Sequence, residues 1–440
     1  MVAQYHCELA WLGGETAEPD VLVTIDGDRI VSAATAVRPA PADAIGLPGL
    51  TLPGFSNAHS HAFHRALRGR AQSGSGSFWT WREQMYAVAA NLDPDSYLAL
   101  ARATFAEMAL AGISCVGEFH YLHHDARGAP YGVANAMGEA LIAAADEAGL
   151  RITLLDTCYL RGGIGVEPNA IQLRFSDGDA LAWATRVDAL PAASHLRVGA
   201  AIHSVRAVDS AAIEIVAAWA AEHEAPLHAH VSEQPAENEQ CLEAYGCTPS
   251  QLLAERGALG DRFTAVHATH VTDDDLDLLG TGGCWCCLCP TTERDLADGI
   301  GPARAMRDAG ARLTLGSDSH AVIDLLEEAR AVELDERLAS GGRGSHDPPS
   351  LLRAATEHGH ASLGWPDAGR IEAGALADLT TIALDSVRTA GADAEHALAT
   401  AVFAASAADV RHVVVGGRVI VADGQHATID VPAELRAALT

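Results

Sequence analysis

Short apolar runs punctuate the chain in two different settings. Near the start, Val21–Ile25 and Arg29–Ser32 flank an Asp26-Gly27-Asp28 turn, which predicts a hairpin. Near the end, His412–Val415 and Arg418–Val421 flank Gly416-Gly417, a second hairpin signature. In the long middle, Ser114–Gly117, Ile152–Leu155, Val198–Ile202, Leu227–Val231, Thr264–His267 and Leu313–Leu315 read as buried strands. Between them lie alanine-rich helical stretches such as Asp209–His223 and Ser250–Gly257. Strands alternating with helices predict a parallel sheet with crossover helices. This number of units leads to an α/β fold: a (β/α)8 TIM-like barrel, with its site at the C-terminal strand ends. Strand-rich segments at both chain ends predict one small β-sandwich domain built from both termini. The expected division is 1–52 with 366–440 for the small domain and 53–365 for the barrel. Ser73–Ser77, a Ser-Gly stretch, is expected in the loop after the first barrel strand.

Charge narrows the partners. The formal net charge is −29, with 58 acidic against 29 basic residues, which excludes nucleic acid and anionic membrane as natural ligands. Every basic residue is Arg; the chain has no Lys, hence no Schiff base, no lysine base and no carbamylated lysine to bridge two metals. The start has no basic segment leading into an apolar core, and no uncharged apolar run reaches membrane-spanning length. Cys284, Cys286, Cys287 and Cys289 crowd one short apolar run that ends at Pro290. With no second cysteine pair at metal-site spacing, the run reads as a buried strand of reduced thiols, implying the cytoplasm. The acidic run Asp273–Asp275 reads as a helix start.

Histidines supply the candidate chemistry. His59 and His61, two apart on a strand, point to one face and can reach one metal ion. His228-Ala229-His230 with Glu233, then His267 with His270, then Asp318 with His320, each follow an apolar strand. Histidine and carboxylate ligands around an open position make catalytic zinc, which activates water at neutral pH. Spacing alone leaves His228 and His230 equivalent, and does not separate His267 from His270. The loop His120, His123, His124 lacks a nearby carboxylate pair and is given no metal role.

This pattern resembles the amidohydrolase superfamily, in its mononuclear deaminase branch, where His230 precedes Glu233 by three residues. The strings NAHSHAFHRALRG (57–69), FWTWRE (78–83), GEFHYLHH (117–124), AIHSVRAV (201–208), HVSEQPAE (230–237) and LCPTTERDLADG (288–299) are similar to the formimidoylglutamate deiminases within it. The resemblance implies one Zn2+ per chain on His59, His61, His230 and Asp318. It selects His230 over His228 and His267 over His270. It implies that Asp318 helps take the proton of water, that Glu233 carries protons to the departing nitrogen, and that His267 polarises the water and steadies the tetrahedral intermediate. The implied substrate is a small dicarboxylate, N-formimino-L-glutamate, converted to N-formyl-L-glutamate and ammonia in histidine degradation. Arg82 and Arg206 are the candidate carboxylate forks, with Tyr121 and His203 as neutral donors beside them. His64 departs from the pattern, standing where Gln is expected in some relatives, and receives no assigned contact. The rival readings are a deaminase of guanine, cytosine or an adenosine derivative, which needs aromatic or amide groups to read a base, and a catalytically silent barrel that binds a ligand. The sequence leaves the oligomeric state open, a homodimer being one expectation.

Overall fold

The computed structural model describes residues 2–72 and 76–439; Ser73, Gly74 and Ser75 of the expected Ser-Gly loop lie outside the described residues. The first four strands are β1 (Val2–Ala10), β2 (Glu18–Asp26), β3 (Arg29–Ala34) and β4 (Ile45–Pro53). The barrel strands are β5 (Phe55–Ser60), β6 (Ile113–His120), β7 (Arg151–Cys158), β8 (Leu196–Ile202), β9 (Leu227–Val231), β10 (Phe263–His267), β11 (Trp285–Leu288) and β12 (Arg312–Leu315). The last are β13 (Leu379–Ile382), β14 (Val410–Val415), β15 (Arg418–Ala422) and β16 (Gln425–His426).

Both chain ends build one mixed sheet, in the order β16-β15-β14-β13-β4-β1-β2-β3. Both predicted hairpins are present, as β2–β3 and β14–β15. The ends of this sheet meet: Tyr5 Oη donates to the Gly417 carbonyl at 3.2 Å, and the Ala377 amide donates to the Asp28 carbonyl at 2.8 Å. Tyr5, Val21, Val23, Leu47, Leu379 and Val414 fill the space between. The junction with the barrel rests on Arg151, whose guanidinium grips Asp378 at 2.8 and 3.1 Å in a buried bidentate pair.

The second sheet runs β5 to β12 in chain order, every pair parallel. Its strands are buried along almost their whole length, as expected where helices cover one side and side chains fill the other. Ring closure comes from a bridge between Ser60 and Asp318. The His59 carbonyl accepts from the Asp318 amide at 3.0 Å, and the His61 amide donates back to the Asp318 carbonyl at 3.3 Å. Gly316 allows this approach, because a Cβ there would stand 2.7 Å from His59 Cβ. The cysteine-dense run forms β11, with Cys284, Cys286, Cys287 and Cys289 buried and free. Asp273–Asp275 open the helix Asp273–Thr281, where Thr272 caps the Asp275 amide and the acids face the positive helix end. Among the described residues, no helix is long and apolar enough to cross a membrane.

Candidate active site

The C-terminal strand ends converge on one buried cluster. His59 and His61 come from β5 and the residue after it, His230 from β9, His267 from β10 and Asp318 from the turn after β12. His59 Nε2 lies 3.1 Å from His230 Nε2 and 3.4 Å from Asp318 Oδ1; His61 Nε2 is also 3.4 Å from Asp318 Oδ1. Tetrahedral zinc with bonds of about 2.0–2.1 Å sets its ligand atoms about 3.3 Å apart, so these separations fit one zinc-sized ion. The donor chemistry fits too. His61 Nδ1 donates to the Phe119 carbonyl at 2.9 Å and His230 Nδ1 to the His203 carbonyl at 2.8 Å. Each bond fixes a tautomer whose Nε2 lone pair faces the cluster. Burial, reinforced by His59, pushes His61 down to about 3, so the ring stays neutral and free to ligate. Burial opposes charge on Asp318 as well, yet its bond to His59 and the neighbouring histidines hold the carboxyl below its usual range.

A polar scaffold sets these side chains. Asn57 Nδ2 donates to Ser317 Oγ at 2.7 Å, and the Ser317 amide returns a bond to Asn57 Oδ1 at 2.9 Å, clamping β5 to the Asp318 turn. Ser60 Oγ donates to Glu118 at 2.5 Å, and the Ala62 amide donates to the same carboxyl at 2.7 Å. His267 and Asp318 have φ of 67° and 39°, a left-handed backbone that costs non-glycine residues energy and concentrates at working sites.

His267 stands beside the cluster. Its Nε2 is 3.9 Å from both Glu233 Oε1 and Asp318 Oδ2. Its Nδ1 lies 3.3 Å from Glu293 Oε1, which also accepts from the Cys289 amide at 2.9 Å. Burial works against a charge on His267, but the Glu293 bond and the Glu233 and Asp318 carboxylates raise it to about 10.

A cavity of about 660 Å³ opens onto the cluster. His61, His230, His267 and Asp318 line it, together with Glu233 and all four candidate substrate contacts, Arg82, Tyr121, His203 and Arg206. His59 is fully buried behind them. The ambiguous pairs separate: His228 Nε2 meets the Ser362 carbonyl at 3.2 Å, one step down the strand, and His270 Nε2 meets the Asp298 carbonyl at 2.8 Å. Arg82 lies over the Trp79 and Tyr86 rings at 4.5 and 5.6 Å and has no carboxylate partner among the described residues. Arg206 is different: it is 3.0 Å from Glu233 Oε2 and 3.4 Å from Glu237 Oε2. Tyr121 Oη sits 2.9 Å from His64 Nε2, and His64 packs on His61 at 4.5 Å between ring centres.

Several neighbours escaped the sequence reading. Glu293, Glu237 and Asp298 are buried near the site, and burial beside Glu233 drives Asp298 up to about 8. The aromatic walls Phe78, Trp79, Trp81, Tyr86, Tyr159 and Phe175 were also missed. The string FWTWRE was the signal for the first of these, and HVSEQPAE and LCPTTERDLADG contain Glu237, Glu293 and Asp298 without telling what each does. The histidine loop meets acids from elsewhere in the chain. The structure supplies the carboxylates its sequence lacks: His120, His123 and Asp156 lie within metal-binding reach, and His124 Nε2 is 3.1 Å from Asp177. Asp156 comes from β7 and Asp177 from the following loop, so neither is near in sequence. Arg186 already fills the position of a cation there, bonding Asp156 and Asp177 at 2.8–2.9 Å.

Comparison with known proteins now decides the family. Residues 50–420 match the amidohydrolase family. The chain belongs to the amidohydrolase family. It is 38% identical to formimidoylglutamate deiminase of Pseudomonas aeruginosa, over 87% of this chain and 86% of that protein. It is 30% identical to 5-methylthioadenosine/S-adenosylhomocysteine deaminase of Natronomonas pharaonis, over 97% of this chain and 95% of the other. The crystal structure of an amidohydrolase from Brucella melitensis superposes with a TM-score of 0.92 at 32% identity, covering 99% of both chains. This amidohydrolase is therefore a hydrolase of C–N bonds, a deaminase of its family.

Proposed function

We propose that this amidohydrolase deiminates N-formimino-L-glutamate, giving N-formyl-L-glutamate and ammonia. The observation that carries the reading is Arg82, a guanidinium in the cavity with no carboxylate partner among the described residues, in a chain with twice as many acids as bases. A half-buried cation that lines the same cavity as the histidine–aspartate cluster and has no carboxylate of its own suits an anionic substrate. The similarity to the Pseudomonas deiminase supports the choice of dicarboxylate.

His59, His61, His230 and Asp318 would hold one zinc ion. Zinc bound there supplies Lewis acidity that makes water nucleophilic near neutral pH. Asp318, through Oδ2, accepts a proton as water adds to the formimino carbon. Glu233 delivers a proton to the nitrogen that leaves as ammonia. His267, anchored by Glu293, directs its Nε2–H toward the oxygen of the tetrahedral intermediate. Arg82 and Arg206 receive the carboxylates, with Tyr121 and His203 as neutral donors. The substrate is a small molecule, and nine free thiols suit the reducing cytoplasm.

One observation favours a second reading. The aromatic walls expected of a base-reading pocket are present alongside the arginines, and stacking on them suits a purine or pyrimidine. Ammonia release from formiminoglutamate, guanine, cytosine and adenosine, measured in parallel, separates the two. Turnover of a base at a kcat/KM above that of formiminoglutamate refutes the dicarboxylate reading.

A further inference from the structure

Arg206 joins the group proposed to move protons to a buried acid with no evident task. Its Nη2 donates to Glu233 Oε2 at 3.0 Å, and its Nε lies 3.4 Å from Glu237 Oε2. Glu237 is 1% exposed, and neither of its oxygens has a hydrogen-bond partner among the described residues. Arg206 also lines the cavity, at 12% side-chain exposure, and sits over the Phe78 ring. One cation thus faces two carboxylates while remaining open to a third from solution.

We propose that Arg206 is a latch on Glu233 that a substrate carboxylate releases, with Glu237 as the positioning residue that keeps Arg206 in place during the exchange. This rests on the dicarboxylate reading above. A third carboxylate arriving at Arg206 must share one guanidinium with the two acids already on it in a confined site, so a resident carboxylate gives way. Glu237 has no route out: its side chain is 0% exposed. Glu233 does have one. It lines the cavity, and its other oxygen already lies 3.9 Å from His267 Nε2, on the side of the metal cluster. Leaving Arg206 therefore turns Glu233 toward the reacting groups. An amidine without a carboxylate fits the cavity but leaves Glu233 held, so it binds and turns over slowly. Selection for the dicarboxylate then appears in kcat as well as in KM.

Wild type and Arg206→Gln, each with measured zinc content, are assayed on formiminoglutamate and on N-butylformamidine, which keeps the amidine and lacks both carboxylates. The latch predicts opposite movements. For Arg206→Gln, kcat/KM on formiminoglutamate falls roughly 30-fold or more, while kcat on N-butylformamidine rises. A kcat on N-butylformamidine that is unchanged or lower overturns the latch. A wild type that releases no ammonia from formiminoglutamate sinks the substrate reading instead. A second measurement needs neither the variant nor activity: the crystal structure of chelator-treated wild type soaked with glutarate. The expected result is a glutarate carboxylate on Arg206 and Glu233 beyond 4 Å from it, a distance scale set by ion pairing. Glutarate bound with the Arg206–Glu233 contact intact, or glutarate bound away from Arg206, refutes the exchange.

Discussion

Replacing Glu233 with Gln separates proton transfer from architecture. The two side chains have nearly the same shape, and the amide oxygen of Gln can still accept from Arg206, where Glu233 now accepts at 3.0 Å. What changes is that an ion pair becomes a hydrogen bond from a guanidinium to a neutral amide, a loss of roughly 1–2 kcal/mol, so the fold survives. The metal cluster survives as well, since its histidine Nε2 atoms and Asp318 are oriented by Phe119, His203 and the Asn57–Ser317 clamp rather than by Glu233. What is lost is a carboxylate within reach of His267 on one side and the cavity on the other. General acid–base groups contribute about 10²–10⁴-fold, so kcat should drop by that factor, about 3–5 kcal/mol in barrier. The assay is ammonia release at saturating formiminoglutamate, with zinc measured on the same preparation. Zinc should stay at wild-type content. A variant that loses zinc affinity about 10–100-fold and recovers activity on adding zinc would make Glu233 a residue that merely orients a ligand. Full zinc with near-normal turnover removes Glu233 from the chemistry altogether.

Four further outcomes follow from the same geometry. About one zinc per chain should co-purify, and a chelator should abolish activity that zinc restores; two bridged metals in the barrel would contradict the single cluster and the absence of Lys. Arg82→Met should lower kcat/KM on formiminoglutamate roughly 30-fold or more while sparing N-butylformamidine; equal losses on both would place Arg82 outside carboxylate recognition. Arg151→Met leaves Asp378 buried without its partner and should cost about 3–5 kcal/mol in urea unfolding; an unchanged midpoint would show that the sheet–barrel junction does not depend on the pair. Raising ionic strength should increase kcat/KM for the anionic substrate, since a net charge of −29 repels it until salt screens the surface. A fall with salt would mean that local arginines govern the approach instead.

What was legible in the sequence follows from periodicity, and what was not follows from tertiary contact. The run Leu227–Val231 shows a strand, and its alternation puts His228 and His230 on one face. Alternation carries no depth, however, and depth is what sends His228 to the Ser362 carbonyl and His230 to the cavity. Glu293 lies 26 positions beyond His267, across a barrel unit, so only the packed barrel reveals that it anchors this imidazole. The carboxylates that reach the histidine loop are not the acids beside it in sequence, Glu118 and Asp125, but Asp156 of β7 and Asp177 of the loop beyond. Arg206 was legible as a candidate carboxylate fork, whereas its pairing with Glu233 and Glu237 was not, because those acids lie 27 or more positions further along the chain and only the packed barrel brings them to it.

Arg186 and Arg206, two arginines of the barrel that each face a pair of acids, look alike in outline and differ in how fully their donors are used. Arg186 also stands between two acids, Asp156 and Asp177, but its Nε, Nη1 and Nη2 all make hydrogen bonds, with Asn135 taking a further one. Trp183 Nε1 adds a bond to Asp156 at 3.1 Å. Such a saturated buried network resists change, because moving any member strands another. Around Arg206 the bonds are fewer: Nε has no partner of hydrogen-bond geometry, and neither oxygen of Glu237 has one. Burial beside Glu233 drives the Glu237 carboxyl up to about 7, against the pull of Arg206. An unsaturated cluster opening onto a cavity has capacity left for an incoming group, where the saturated one has none. Guanidinium suits both tasks, since its planar fork holds two acids in fixed directions. Which task it performs depends on how many of its bonds the fold has already made.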